Sequence, residues 1–383
     1  MTKLEELIQK LCPNGVEHKP LNEVSEMKRG TSITKKDIVE GEIPVVSGGR
    51  EPAYYCDKYN RDGETITVAG SGAGAGYVQY WTKPIFVCDA FSIQGNPGIQ
   101  TKYIYYFLTN IQDYIYSTKK GGGVPHVHIS SIENVSVPVP PLPVQREIVR
   151  ILDNFTELTA ELTAELTARK QQYAYYRDKL LSTNNSSVPV VELRDIVKKS
   201  CSGATPAKGN AEYYENGTIP WIRTQDVRFN EITEVNSYIT EKAVSETATK
   251  WIPENCVIVA ISGATAGRCA INKIKATTNQ HCLNLIIDDS MALYRYVFHC
   301  LCSKYEELIS RKQGARGDLN SSLILSLPIS IPSLEVQKRL VEVLDNFDAI
   351  CTDLNIGLPA EIEARQKQYE YYRDKLLTFT PAD

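Results

Sequence analysis

The sequence predicts an α+β fold made by tandem duplication: a β-rich domain followed by a long helix, written twice. The two long helices are expected to pack as an antiparallel coiled coil with pseudo-twofold symmetry. Three observations predict this. Leu152-Asp153-Asn154-Phe155 and the run from Arg169 through Tyr173, Tyr176 and Arg177 to Leu181 recur as Leu344-Asp345-Asn346-Phe347 and Arg365 through Tyr369, Tyr372 and Arg373 to Leu377. A strand with a small-residue turn, Thr65–Gly76, recurs 191 residues later as Cys256–Gly267. Both helical segments space their apolar residues by three and four, the pattern of a narrow seam that must be covered.

In chain order, Met1–Lys10 reads as a charged amphipathic helix and not as a signal peptide. The first β-rich domain spans 1–143, with short runs such as Ile43–Val46, Glu64–Ala69 and Pro84–Cys88 between Gly, Pro and Asn. An aromatic helical stretch, Lys102–Ser117, and a Pro-rich strand from Val135 close it. The first long helix occupies 144–182 and a polar linker 183–188. The second β-rich domain spans 189–333, with its own aromatic stretch at Leu293–Ile309, and the second long helix covers 334–378. Tyr103, Tyr105 and Phe107 are matched to Tyr294, Tyr296 and Phe298, also 191 residues on. Gly357 and Pro359 predict an interruption in the second long helix.

Inside the first long helix stands a tetrapeptide repeat: Glu157-Leu-Thr-Ala160, Glu161-Leu-Thr-Ala164, Glu165-Leu-Thr-Ala168. The offset between the copies grows from 192 at Gln145 and Gln337 to 196 at Arg169 and Arg365, a difference of four residues. One unit adds about 6 Å of helix and returns nearly to the same face. That makes a spacer adjustable in turn-sized steps. The seam residues are Phe155, Leu158, Leu162, Leu166, Tyr173, Tyr176, Phe347, Tyr369 and Tyr372.

Composition narrows the function. The chain has 383 residues and a net charge of −4, so it lacks the overall basic signature of many nucleic-acid binders. Any cations that touch DNA must be local. No apolar run is long enough for a membrane span. Ten scattered cysteines with no CxxC pair read as reduced thiols of a cytoplasmic protein, and no metal site is expected. The glycines of Gly70–Gly76 resemble a dinucleotide loop, but Tyr77–Val87 alternates like a strand where that motif needs a helix. No catalytic motif is present: no P-loop lysine, no HExxH, no GxSxG, and no Asn-Pro-Pro-aromatic tetrapeptide.

The polar loops suit DNA. In the first copy the candidates are Arg50, Ser71, Lys119, Lys120, Gly121, Gly122, His126 and His128. In the second they are Arg223, Thr224, Gln225, Arg268, Asn279, Gln280, Arg311, Lys312, Arg316 and Asn320. Arginine, asparagine and glutamine pair with base edges, whereas lysines mostly hold phosphates. A basic glycine loop recurs at matching places, Lys119–Gly123 and Arg311–Arg316.

Taken together, Leu11–Glu17, the Pro-rich strands before Gln145 and Gln337, the Leu-Asp-Asn-Phe segments, the Tyr-x-Tyr-Tyr-Arg-Asp-Lys-Leu-Leu endings and the Glu-Leu-Thr-Ala repeats resemble the specificity subunit of Type I restriction–modification enzymes, over the full length. The resemblance implies that each β-rich domain is a target recognition domain reading one half of a split, asymmetric duplex site. It implies that the helices are a ruler for the bases between and dock two methyltransferase subunits, with two restriction motor-nuclease subunits joining them. It also implies a chain that is non-catalytic and carries no cofactor, S-adenosylmethionine, ATP and Mg2+ belonging to the partners. The rival is a scaffold tethering two protein-binding domains; DNA binding that weakens steeply with salt separates the two.

Overall fold

The computed structural model describes residues 2–33, 39–182, 187–312 and 318–382. It divides into two units: Met1–Thr163 with Glu361–Asp383, and Ala164–Ala360. Each unit therefore holds one β-rich domain, the start of the long helix that follows it, and the end of the other long helix.

In the first unit, Thr2 caps the N-terminal helix Lys3–Leu11 with a capping box to Glu5, and Leu4, Leu7 and Ile8 turn toward the core. A four-stranded antiparallel sheet runs in the order Ser25–Arg29, Ala90–Gly95, Thr65–Ala69, Val78–Trp81. Thr65–Ala69 is buried along its whole length, its two threonines included. A three-stranded sheet joins Tyr54–Cys56, Ile43–Val46 and Phe86–Val87. The aromatic helix Thr101–Asn110 lies over the larger sheet and fills the core with Tyr103, Ile104, Tyr106 and Leu108.

The second unit repeats this plan with additions. A five-stranded sheet runs Val197–Ser202, Cys282–Ile287, Val257–Ala260, Cys269–Asn272, Asn230–Ile232. Four short strands, Tyr238–Ile239, Ile219–Ile222, Ala276–Thr278 and Trp251–Ile252, form a second sheet. The aromatic helix is Tyr294–Ser303. The ten cysteines are free thiols, and eight of them are buried.

The turn after the buried strand is the same in both copies. Thr65–Ala69 and Val78–Trp81 pair antiparallel, as do Val257–Ala260 and Cys269–Asn272. The turn is left-handed at Gly76 (φ 84°) and Gly267 (φ 91°). A Cβ there would also press on Ile115 and Val127, or on Ile309 and Tyr305. A strand, not a helix, comes after the glycines, as the alternation of Tyr77–Val87 predicts.

One sequence expectation needs adjustment. The aromatic helices correspond two residues further on than Tyr103 with Tyr294. Tyr103 donates to the Pro138 carbonyl at 3.0 Å and Tyr296 to the Ser330 carbonyl at 2.7 Å, so Tyr103 answers to Tyr296. The second long helix is two helices, Leu334–Thr352 and Leu358–Leu377, with the break at Asp353–Gly357 where Gly357 and Pro359 predict it. The first long helix is continuous over Leu142–Leu180. The linker at 183–188 and the candidate Arg316 fall wholly or partly outside the described residues.

Candidate nucleic-acid interface

The first domain gathers its candidate residues at one set of loops. Lys120 and His126 exchange backbone hydrogen bonds at 2.9 and 2.8 Å, closing a basic loop over Gly121–Pro125. Gly121 is left-handed (φ 111°), which its missing side chain permits. The loop joins the glycine turn: Gly72 N donates to the Pro125 carbonyl at 3.0 Å and Val127 N to the Gly70 carbonyl at 3.0 Å. The Gly48–Arg50 loop closes on the same turn so tightly that a Cβ on Gly48 or Gly74 would overlap the facing backbone. Arg50 lies 5.0 Å from the Tyr77 ring centroid and Lys119 4.3 Å from that of Tyr116. Neither these two nor Lys120 pairs with a carboxylate among the described residues. His126 and His128 stack with centroids 6.0 Å apart, on the shared face that their alternation predicts. Ser71 donates to the Asp89 carboxylate, so its hydroxyl anchors the turn to the bend just before Ala90–Gly95. Sequence reasoning missed Asp89, because nothing in its neighbourhood marks it as a partner of Ser71.

The second domain assembles a different surface. Thr265 Oγ1 donates to the Thr224 carbonyl at 2.9 Å, tying the glycine turn to the Arg223–Asp226 segment. Asn279 N donates to the Ile222 carbonyl at 3.0 Å, and Asn279 Oδ1 accepts from His281 N at 3.1 Å. Gln280 accepts from Thr205, a residue the sequence did not single out. Arg223 stacks 5.8 Å from Trp221, and the backbone carbonyl of Gln225 holds Arg228. Arg223 Nε and Arg268 Nε are buried and meet no acceptor among the described residues. Buried unpaired guanidinium donors cost stability and invite an acceptor from outside.

Two further candidates are committed to the fold. Arg311 pairs with Glu307 and reaches the Leu323 carbonyl at 3.3 Å. Asn320 Oδ1 caps the helix Ser321–Leu325 through Leu323 N at 2.9 Å. Lys312 is half-buried beside them.

Each long helix is bolted to its domain by the same residues. Gln145 is buried; its Oε1 accepts from Gln100 N at 2.9 Å and its Nε2 donates to the Pro140 carbonyl at 2.8 Å. Gln337 repeats this with Leu293 N at 2.9 Å and the Pro332 carbonyl at 2.9 Å. Further along, Asp153 receives Lys102 and Tyr106, and Asp345 receives Arg295 and fully buried His299. Burial works to raise the Asp345 carboxyl, but the bonds from His299 and Arg295 outweigh it and hold it below the usual range.

The seam aromatics meet within each unit. Phe155 stacks on Tyr372 at 5.5 Å in the first, and Tyr176 packs at a tilt against Phe347 at 6.3 Å in the second. Tyr369 packs on the first core, and Tyr173 hydrogen-bonds His299 at 3.2 Å in the second. Leu377 and Leu181 are buried in the same crosswise manner. The early part of each long helix therefore lies against the late part of the other. Leu162 and Leu166 are half-buried, and Leu158 remains exposed. Tyr175 and Tyr371, at equivalent places in the two endings, are each about three-fifths exposed and were not among the predicted seam residues.

These features define a binding module in duplicate, each copy presenting polar loops and each closed by the other's helix end. The model of the Type I restriction modification DNA specificity domain matches residues 13–169 and 185–364. The chain belongs to that family: it is a Type I specificity subunit with two tandem recognition domains, the non-catalytic kind of subunit in such systems. It is 38% identical to the Escherichia coli EcoR124I/EcoR124II specificity subunit over 73% of this chain and 70% of that one. A crystal structure of an S subunit from M. genitalium superposes with a TM-score of 0.57 at 18% identity over 94% of each chain. A chain from a structure on complex assembly and conformational transition of the type I R-M system gives 0.67 at 16% identity, covering 95% of this chain and 98% of that one. Among the described residues no helix is long and apolar enough to cross a membrane, and no cluster of three metal-binding side chains exists.

Proposed function

We propose that the chain binds a bipartite, asymmetric duplex DNA site, one half through each recognition domain, and that its paired helices set the gap and carry two methyltransferase subunits. Two restriction motor-nuclease subunits complete the assembly. S-adenosylmethionine, ATP and Mg2+ serve those partners, and the complex works in the cytoplasm. The observation that carries the reading is the loop cluster of the first domain. There Arg50, Lys119 and Lys120 share one surface without carboxylate partners among the described residues, in a chain of net charge −4. Local cations in an acidic chain imply a local polyanion. The second surface, with Arg223, Gln225, Asn279 and Gln280, has the groups that distinguish bases, so the half-sites differ.

Titration of the assembled complex with duplex DNA at several salt concentrations tests this. The affinity should fall by orders of magnitude between about 50 and 200 mM salt. Flat salt dependence would instead favour a protein-tethering scaffold.

A further inference from the structure

The second unit holds a cavity of about 280 Å3 where the end of the first long helix, the aromatic helix Tyr294–Ser303 and the helix Leu334–Thr352 meet. Tyr173 and Arg177 line it from the first, Phe298 from the second and Asp348 from the third, and Phe229 and Tyr305 complete the wall. Phe229 takes a left-handed backbone angle (φ 61°) that bulky side chains rarely adopt, and its N donates to the Cys269 carbonyl at 2.8 Å. Its ring stands edge-on to Tyr305, with centroids 5.1 Å apart.

The duplication gives each wall residue a counterpart. Ser303 answers to Asn110, 193 residues back, as Tyr296 answers to Tyr103; Asp348 answers to Thr156 and Arg177 to Arg373. In the first unit Arg373 Nε donates to Asn110 Oδ1 at 2.7 Å, and Thr156 Oγ1 donates to the Leu152 carbonyl at 2.9 Å. In the second unit the shorter Ser303 turns back to the Cys300 carbonyl at 2.9 Å, and Arg177 Nε donates to its neighbour Asp178 at 2.8 Å. The Asp348 carboxylate makes no hydrogen bond or ion pair among the described residues; His299 and Arg295 face it but are engaged by Asp345. Burial pushes the Asp348 carboxyl up, and nearby Arg295 and Arg177 do not offset it. Glu306, exposed on the same wall, also has no ion pair among the described residues.

We propose that this cavity binds an aliphatic diammonium ion, with one ammonium on the Asp348 carboxylate, the methylene stem against the Phe229 and Tyr305 rings, and the second ammonium toward Glu306. A carboxylate withdrawn from water without a partner is costly, and a cation that brings hydrogen-bond donors removes the cost. The aromatic faces favour an organic ammonium. Mg2+ demands an octahedral shell of oxygens, which aromatic walls do not give. Seated there, the amine ties the ending Tyr173–Asp178 to the helix Leu334–Thr352 and strengthens the crossing of the two long helices in the second unit alone.

Calorimetric titration of the full chain with putrescine, without DNA and at fixed ionic strength, tests this. Putrescine should bind saturably, one per chain, and raise the melting temperature. Mg2+ at the same ionic strength should not compete. Asp348→Asn should weaken binding by about tenfold or more. The same variant should leave the melting temperature of the free chain unchanged or higher, because it removes an unpaired charge and keeps the shape. Ser303→Asn should give Arg177 the partner that Asn110 gives Arg373, fill the cavity and abolish binding, whereas Asn110→Ser in the first unit should leave binding within about twofold. If Ser303→Asn fails to fold, the isosteric Asp348→Asn carries the test. A wild-type chain that shows no saturable binding overturns the proposal. So does equal binding by Asp348→Asn, which would mark diffuse attraction to a chain of net charge −4. A free chain that loses several degrees with Asp348→Asn would show Arg177 itself seated on the carboxylate, and the proposal would fall with that result too.

Discussion

At the scale of single residues, one side chain does the same work in both copies. Gln145 and Gln337 each link the start of a long helix to the start of an aromatic helix through one accepted and one donated hydrogen bond, and donate a second to the proline carbonyl ahead of their own helix. Truncation leaves the main-chain partners buried and unpaired, which costs about 1–3 kcal/mol for such a group. Gln145→Ala should therefore lower stability by about 2–4 kcal/mol, read by chemical denaturation. Exposed Lys10→Ala in the same assay should change almost nothing. Both glutamines are visible in the sequence as repeats, but their role is not, because their partners are backbone groups brought from a distance. The loop lysines behave differently. Lys119→Ala with Lys120→Ala should weaken DNA binding about equally across sequences and flatten the salt slope by about two. Sequence-selective loss would mean that these lysines touch bases.

Elements were legible where their signals repeat. The long helices, the glycine turns and the interruption near Gly357 all come from pattern and turn chemistry. The register of the aromatic helices did not, because Tyr103, Tyr105 and Tyr294, Tyr296 alternate at the same two-residue step. Identity alone allows a two-residue slip that only the hydroxyl bonds of Tyr103 and Tyr296 remove. The charged N-terminal helix was legible, but not the face it covers. There Arg150, then Lys3, hold the Glu147 carboxyl down to about 2 from an ordinary 4.5. A lowered carboxyl stabilises the fold fully above the ordinary value, and this contribution is lost as pH falls from 4.5 toward 2. Hydrogen exchange in Lys3–Leu11 should thus accelerate over that range. Glu147→Gln should remove the pH dependence and cost about 1–2 kcal/mol at neutral pH. In the Glu-Leu-Thr-Ala repeat, Thr159 Oγ1 bonds the Phe155 carbonyl at 2.9 Å and Thr163 Oγ1 the Thr159 carbonyl at 2.7 Å. Each unit is satisfied within one turn. Deleting Glu161–Ala164 should shorten the helix by about 6 Å and turn it by about 40°. Methylome sequencing should then show a shorter gap between unchanged half-sites; an altered half-site would contradict the ruler.

At the scale of the whole chain, the crosswise exchange of helix ends makes each unit depend on residues from the far side of the sequence. The first core is closed by Leu377 and Tyr369, and Phe155 by Tyr372. The chain carries the same ending earlier, as Tyr173, Tyr176 and Leu181. A fragment of residues 1–182 therefore has an open slot and a helix end that fits it. That end cannot fold back into the slot of its own helix, so two fragments should close each other in a symmetric dimer. Burying the leucine contributes roughly 2 kcal/mol per end and the aromatic stack about 1 more. The fragment has no counterpart to the segment beyond Leu377. In the intact chain Val16 N donates to the Thr380 carbonyl at 2.9 Å, Ala382 N donates to the Val16 carbonyl at 3.0 Å, and Phe379 packs on the core. A fragment that stops at Ser182 cannot supply Phe379, so the dimer should be weaker than the intact pairing and dissociate on dilution. Sedimentation equilibrium should show a monomer–dimer exchange, and Leu181→Asp should leave monomer only. A folded monomer that never associates would show that the exchanged ends are ornaments on self-sufficient domains, and the reading of the two helices as one coupled element would fail with it.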